Sequence, residues 1–75
     1  MARSNYLHVV PHGNDWAVRR EGASRVSQIT DTQREAADAA RRMAVRERGE
    51  TFIHRPDGPI RDRNSYGNDP SSRPG

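Results

Sequence analysis

The chain lacks cysteine and lysine altogether, and it carries only one tryptophan and one phenylalanine among 75 residues. Without cysteine it can form neither a disulfide scaffold nor a thiolate-bound zinc or iron–sulfur site. No apolar run reaches the roughly 20 residues of a membrane span, and no apolar stretch follows a basic start as in a signal peptide. These absences and the short length predict one small cytoplasmic domain without a membrane partner.

The charge of the chain is modest. Its 13 arginines are offset by 10 acidic residues, which leaves a net charge of +3. The excess is spread along the sequence rather than concentrated in one segment. Such a balance permits phosphate binding but does not require it.

Short runs of strand-forming residues, separated by turn residues, predict three strands in the first half of the chain. They cover residues 6–10, which Pro11 ends, 16–20 and 25–29. The first two flank a cluster of turn residues at 12–15 and therefore form a hairpin.

Side chains alternate between the two faces of a strand. In the second strand, Trp16 and Val18 therefore share one face, which we expect to lie under a helix. Ala17 and Arg19 share the opposite face, where Arg25 and His8 or Tyr6 from neighbouring strands would join them.

The alanine-rich segment 33–48 predicts the helix, because it contains neither glycine nor proline. Thr32 and Glu35 have the spacing of a capping box, and Gly49 is placed to end the helix in the left-handed conformation. On a helical wheel the alanines and Met43 form one stripe, which lets the helix axis lie close to a sheet.

The residues after the helix predict a second hairpin. Residues 51–55 form a strand, Pro56–Gly58 a turn and residues 60–63 a short edge strand. We expect one domain over residues 5–66, between disordered termini at 1–4 and 67–75.

The predicted order is strand-strand-strand-helix-strand-strand. It favours an α+β fold in which one helix packs across one face of an antiparallel sheet. The predicted core is small, so pairing of an exposed edge or face with a second copy is a further expectation. The predicted core residues are Leu7, Val9, Val10, Trp16, Val18, Val26, Ile29, Met43, Val45, Phe52, Ile53 and Ile60.

Four motifs stand out along the chain. They are His-Val-Val-Pro-His-Gly-Asn-Asp-Trp-Ala-Val-Arg-Arg-Glu-Gly-Ala at 8–23, Thr-Gln-Arg-Glu-Ala at 32–36, Asp-Gly-Pro-Ile-Arg at 57–61 and Ser-Tyr-Gly-Asn-Asp-Pro at 65–70. In this order they resemble the bacterial family catalogued as domain of unknown function 2188. The resemblance covers residues 6–70 and implies no activity, because the family has none established.

A second resemblance concerns the middle of the chain. Trp16, the Glu21-Gly22 turn and the helix start at Thr32 are similar to the arm-type DNA-binding domains of tyrosine recombinases, over residues 16–44. That similarity implies a three-stranded sheet placed in the major groove of duplex DNA, with a helix bracing its back.

Two sets of arginines are the candidate nucleic-acid contacts, because arginine on a strand or helix can bind guanine edges and phosphates. The alternative for both sets is an ordinary solvated face. The rival function is a protein-interaction or self-assembling module. The candidate residues are Arg19, Arg20 and Arg25 on the sheet and Arg34, Arg41 and Arg48 on the helix.

No cofactor, metal site, catalytic centre or small-molecule substrate is predicted. His8 and His12 lie about 13 Å apart on a straight strand, which is too far for a compact metal site. A zinc site of histidine and aspartate could form only if His54 met His8 across neighbouring strands. The sequence lacks recognisable nucleophile motifs, and a chain this short can hardly enclose a substrate pocket.

Overall fold

The computed structural model describes residues 4–67 and places them in five strands and one helix. Residues 1–3 and 68–75, which make up most of the predicted disordered termini, lie outside the described residues. No helix within 4–67 is long and apolar enough to cross a membrane. The elements are β1 (Tyr6–His12), β2 (Asp15–Arg20), β3 (Gln28–Thr30), α1 (Gln33–Glu47), β4 (Glu50–His54) and β5 (Ile60–Ser65).

The strands form one mixed sheet with the order β3-β2-β1-β4-β5. Three of the four strand pairs are antiparallel, but β1 and β4 are parallel. The α+β class is confirmed, and the prediction of a purely antiparallel sheet is wrong. The reason lies in α1, which returns the chain across the sheet, so that β4 runs in the same direction as β3 and therefore as β1.

The hairpin between β1 and β2 forms at the predicted turn. Gly13 has a φ of 61° and occupies the first position of a two-residue loop, as in a type II′ turn. Pro11 lies inside β1 rather than ending it. It falls beyond Val9, the last β1 residue that pairs with β4, so its missing N–H removes nothing from that ladder.

The two ends of α1 follow different rules. At the start, the Thr32 hydroxyl accepts a hydrogen bond from the Glu35 amide at 3.1 Å, which confirms the predicted cap. At the end, Arg48 and not Gly49 adopts the left-handed conformation, with a φ of 56°. Gly49 is needed for close packing instead, because a Cβ there would overlap the carbonyl oxygen of Asn5.

The core is a thin layer between α1 and the sheet. Its large members are Leu7, Val9 and Val18, which are fully buried against the alanine stripe of the helix. Trp16 and Met43 pack against the margin of this layer and stay partly exposed. The predicted helix-facing side of β2 is therefore confirmed. The buried alanines are Ala36, Ala39, Ala40 and Ala44.

Three residues of the predicted core are about half exposed, and their prediction as core is wrong. Ile29 pairs with Ala17 and therefore points to the sheet face opposite the helix. Val45 lies outside the alanine stripe of α1, and Ile60 belongs to β5, whose residues are all exposed. Strand and helix propensity identified the elements, but the burial of each side chain depends on how the elements are stacked.

A buried ion pair ties the end of α1 to the sheet. Two guanidinium nitrogens of Arg20 donate to the two carboxylate oxygens of Glu47, each at 2.6 Å. Arg20 also donates to the carbonyl of Ser4 at 2.8 Å, and only 8% of the residue is exposed. Bidentate pairing of this kind fixes orientation as well as charge.

The first prediction concerns this ion pair. Glu47→Ala leaves the Arg20 cation covered and without its carboxylate partner. We expect a loss of roughly 2 kcal/mol in the free energy of unfolding, below the value for a fully buried pair because Glu47 is partly exposed. Urea denaturation measures the loss, with Asp38→Ala on the exposed side of α1 as the control. Equal losses in the two variants would contradict the account.

The second prediction concerns the end of α1. Arg48→Gly should raise the free energy of unfolding by roughly 1 kcal/mol, because glycine adopts the left-handed conformation without the penalty of a Cβ. Arg46→Gly, the same change inside the helix, should lower it by roughly 1 kcal/mol. Thermal or urea unfolding of the two variants tests the opposite signs, and a loss in both would refute the assignment of the helix end.

Candidate functional site

Among residues 4–67, no helix or strand packs on the sheet face opposite α1. Strand alternation and register place on it residues from all five strands. We call this surface the open face. It comprises Tyr6, His8, Val10, His12, Asp15, Ala17, Arg19, Ile29, Glu50, Phe52, His54, Arg63 and Ser65, so that two carboxylates share the face with the two arginines. The predicted placement of Ala17, Arg19, His8 and Tyr6 on this side is confirmed.

An aromatic cluster occupies the part of the open face over β1, β4 and β5. Phe52 is its centre and remains partly exposed. The His8 ring stacks on Phe52 with a centroid distance of 4.9 Å, and the Tyr6 ring meets it edge-on at 5.8 Å. The guanidinium carbon of Arg63 lies 5.5 Å from the Phe52 centroid, which is a cation–π contact.

The predicted arginines of the sheet lie in three different environments. Arg19 is exposed on the open face, where it donates to the carbonyl of Ala23 at 3.3 Å. Arg25 is exposed in the loop before β3, because that strand begins only at Gln28. Arg20 is buried on the helix side, bound to Glu47, and therefore does not join Arg19.

The charge of Arg20 is fixed by its surroundings. The hydrogen bonds that Arg20 donates to Glu47 raise the pKa of Arg20 above its ordinary value; desolvation lowers it, and the negative charge of Glu47 raises it further. The side chain therefore stays cationic and serves to hold the helix. Strand alternation alone predicts that Arg20 lies on the helix side, because it is two residues from Val18 and shares its face.

Two of the three candidate arginines assigned to the helix lie on the other side of the protein. Arg34 and Arg41 are exposed along α1, whereas Arg19 projects from the opposite face of the sheet. The layer of sheet and helix separates the two groups. Arg34 and Arg41 thus form a basic surface separate from that of Arg19. Arg48 is exposed just after the end of α1, where it lines a depression with Tyr6 and Glu50.

A chain of hydrogen bonds crosses the open face beside Phe52. Nδ1 of His8 and Nε2 of His54 are 2.8 Å apart, so the two histidines do meet across β1 and β4. The outer nitrogen of His8 is 2.9 Å from a carboxylate oxygen of Glu21. The outer nitrogen of His54 donates to the carbonyl of Gly58 at 2.7 Å. His12 is exposed at the end of β1.

Sequence reasoning missed two components of this surface. The sequence predicts Phe52 in the core, because phenylalanine in a strand is usually buried. Arg63 was not assigned a role, because its position opposite Phe52 depends on a register shift between β4 and β5 near His54. No sequence pattern indicates that bulge.

Comparison with known proteins places the chain among bacterial sequences. The uncharacterized protein YdaT of Bacillus subtilis is 43% identical over 53 residues, which are 71% of this chain and 35% of YdaT. The chain thus spans about a third of the length of that relative. No solved structure is a significant match.

The family of uncharacterized proteins conserved in bacteria known as DUF2188 matches residues 7–66. This range contains all of α1 and β2–β5 and nearly all of β1. The match confirms the resemblance that the four sequence motifs indicate. The chain therefore belongs to the DUF2188 family.

Proposed function

We propose that this chain is a non-enzymatic module that binds single-stranded nucleic acid on its open face. The observation that carries the proposal is the partly exposed aromatic cluster around Phe52, with arginines on both sides. Flat rings on an uncovered sheet allow unpaired bases to stack, and neighbouring guanidinium groups can bind phosphates.

Stacking requires aromatic surface that solvent can reach. Tyr6 is 41% exposed, and Phe52 is partly exposed between Tyr6 and His8. A core aromatic would be covered by α1, but these rings lie on the opposite side of the sheet. Stacking of one base on such a ring contributes about 1–3 kcal/mol, whatever the base.

The width of the sheet favours a single strand over a duplex. Five strands spaced by about 4.8 Å span roughly 19 Å, whereas the major groove is about 12 Å wide. The arm-type DNA-binding domains insert a three-stranded sheet, and the two additional strands, β4 and β5, prevent the same docking here. An unpaired strand can lie flat across the sheet.

The open face supplies two cations for phosphates. Arg19 lies on β2 and Arg63 on β5, so they flank the aromatic cluster. Arg63 is 3.4 Å from a carboxylate oxygen of Glu50, but the Arg63 side chain is 67% exposed. A solvent-exposed pair of this kind is weak, so a phosphate can replace the carboxylate.

The third prediction tests the stacking surface. Tyr6→Leu and Phe52→Leu keep an apolar side chain but remove the ring, so each should weaken binding of a fluorescent oligothymidylate about tenfold. Val45→Ala, on the exposed side of α1, is the matched control and should bind normally. Fluorescence anisotropy measures the affinities. Equal affinity in all variants would refute the open face as the binding surface.

The fourth prediction tests the phosphate contacts. With two contacts on a single strand, the logarithm of the association constant should fall with the logarithm of salt concentration with a slope of about −1.4. Arg19→Gln and Arg63→Gln should each reduce this slope by about 0.7. Arg41→Gln should leave it unchanged. A slope that changes only with Arg41 would move the interface to the helix.

The rival function uses the same surface. Ile29 and Tyr6 are exposed apolar residues on the open face, and a second copy of the chain could cover them. Sedimentation of the variants distinguishes the two functions. If the unsubstituted chain sediments as an oligomer, Phe52→Leu lowers that mass and no variant binds the oligonucleotide, the module self-assembles.

A further inference from the structure

The histidine pair on the open face has a fixed arrangement of protons. Glu21 and Gly58 offer a carboxylate oxygen and a carbonyl oxygen to the outer ring nitrogens, and such oxygens only accept hydrogen bonds. Both outer nitrogens therefore carry the ring proton. The inner nitrogens of His8 and His54 then face each other 2.8 Å apart, with one proton shared in an N–H···N hydrogen bond or, when that proton is absent, with two unshared electron pairs.

We propose that these two inner nitrogens bind a divalent transition-metal ion of the zinc type. A metal ion between the two inner nitrogens takes the place of the shared proton and binds both electron pairs. Metal-bound histidines characteristically donate their other ring N–H to a carboxylate or a backbone carbonyl, which fixes the ring and makes the free nitrogen more basic. Glu21 and Gly58 have these two roles here.

The surrounding structure orients the rings before a metal arrives. His8 and His54 project from the adjacent strands β1 and β4, and the His8 ring stacks on Phe52. Tetrahedral zinc with bonds of about 2.0–2.1 Å separates two nitrogen ligands by roughly 3.3 Å. The distance between the two inner nitrogens therefore has to increase by about 0.5 Å, which a small rotation of the side chains provides.

The chemistry of the ligands selects the metal. Imidazole nitrogen suits zinc, nickel and copper, whereas magnesium and calcium prefer oxygen. Within residues 4–67 no group of three or more histidine, aspartate or glutamate side chains is placed to hold a metal ion. Water completes the coordination, because the His8 side chain is 17% exposed and the open face is uncovered.

Calorimetric titration of the full chain with Zn²⁺ tests the proposal. We expect one ion per chain and no response to Mg²⁺. His54→Gln should lower the association constant at least tenfold, and Glu21→Gln should lower it about tenfold by freeing the His8 ring. His12→Gln removes the histidine outside the pair and is the matched control, with the affinity unchanged.

Imidazole ¹⁵N spectra show which nitrogens bind. Zinc should shift His8 Nδ1 and His54 Nε2 and leave His12 unshifted, and amide spectra of Glu21→Gln verify that an exposed substitution keeps the fold. Three results would overturn the proposal: no zinc-dependent shift at millimolar metal, equal losses in His12→Gln and His54→Gln, or a shared proton on the inner nitrogens that zinc does not displace.

Discussion

The contact between an alanine-faced helix and one side of a five-stranded sheet determines how the remaining surfaces are used. Methyl side chains let α1 approach closely enough to bury Leu7, Val9 and Val18 completely. Residues 4–67 contain one helix, and it covers only one of the two faces of the sheet. The second face therefore stays uncovered by these residues. The ion pair of Arg20 with Glu47 holds the end of the helix in this position.

Local sequence rules predicted the elements well. The hydroxyl of Thr32 caps α1, Gly13 forms the hairpin turn, and alternation orients Trp16 and Ala17 correctly. Each of these depends on a few neighbouring residues, and the physics of caps, turns and pleats acts over that range. The α+β class followed from the order of the elements alone.

Properties that depend on distant parts of the chain could not be predicted in the same way. The parallel pairing of β1 with β4 depends on where α1 returns the chain, and no residue of either strand specifies it. The sequence predicts that Gly49 ends the helix, but its role is to leave room for the backbone of Asn5, which a Cβ at position 49 would overlap. Ile29 is exposed because only one face of the sheet is covered.

The candidate site shows the same division. Alternation predicts Arg19 on the open face, whereas the cluster of Tyr6, Phe52 and Arg63 depends on the register of three strands. The sequence predicts contact between His8 and His54 only on the condition that β1 and β4 are neighbours, and that adjacency is a tertiary property. Burial of Arg20 could have been inferred from its alternation with Val18.

The most direct test of the open face is a map of side-chain chemical shifts during titration with a short single-stranded oligonucleotide. Aromatic ¹³C and arginine Nε signals report the face of the sheet, which backbone amides do not. The account predicts shifts at Tyr6, Phe52, Arg19 and Arg63, with the arginines of α1 unaffected. Shifts confined to Arg34, Arg41 and Arg48 would contradict it.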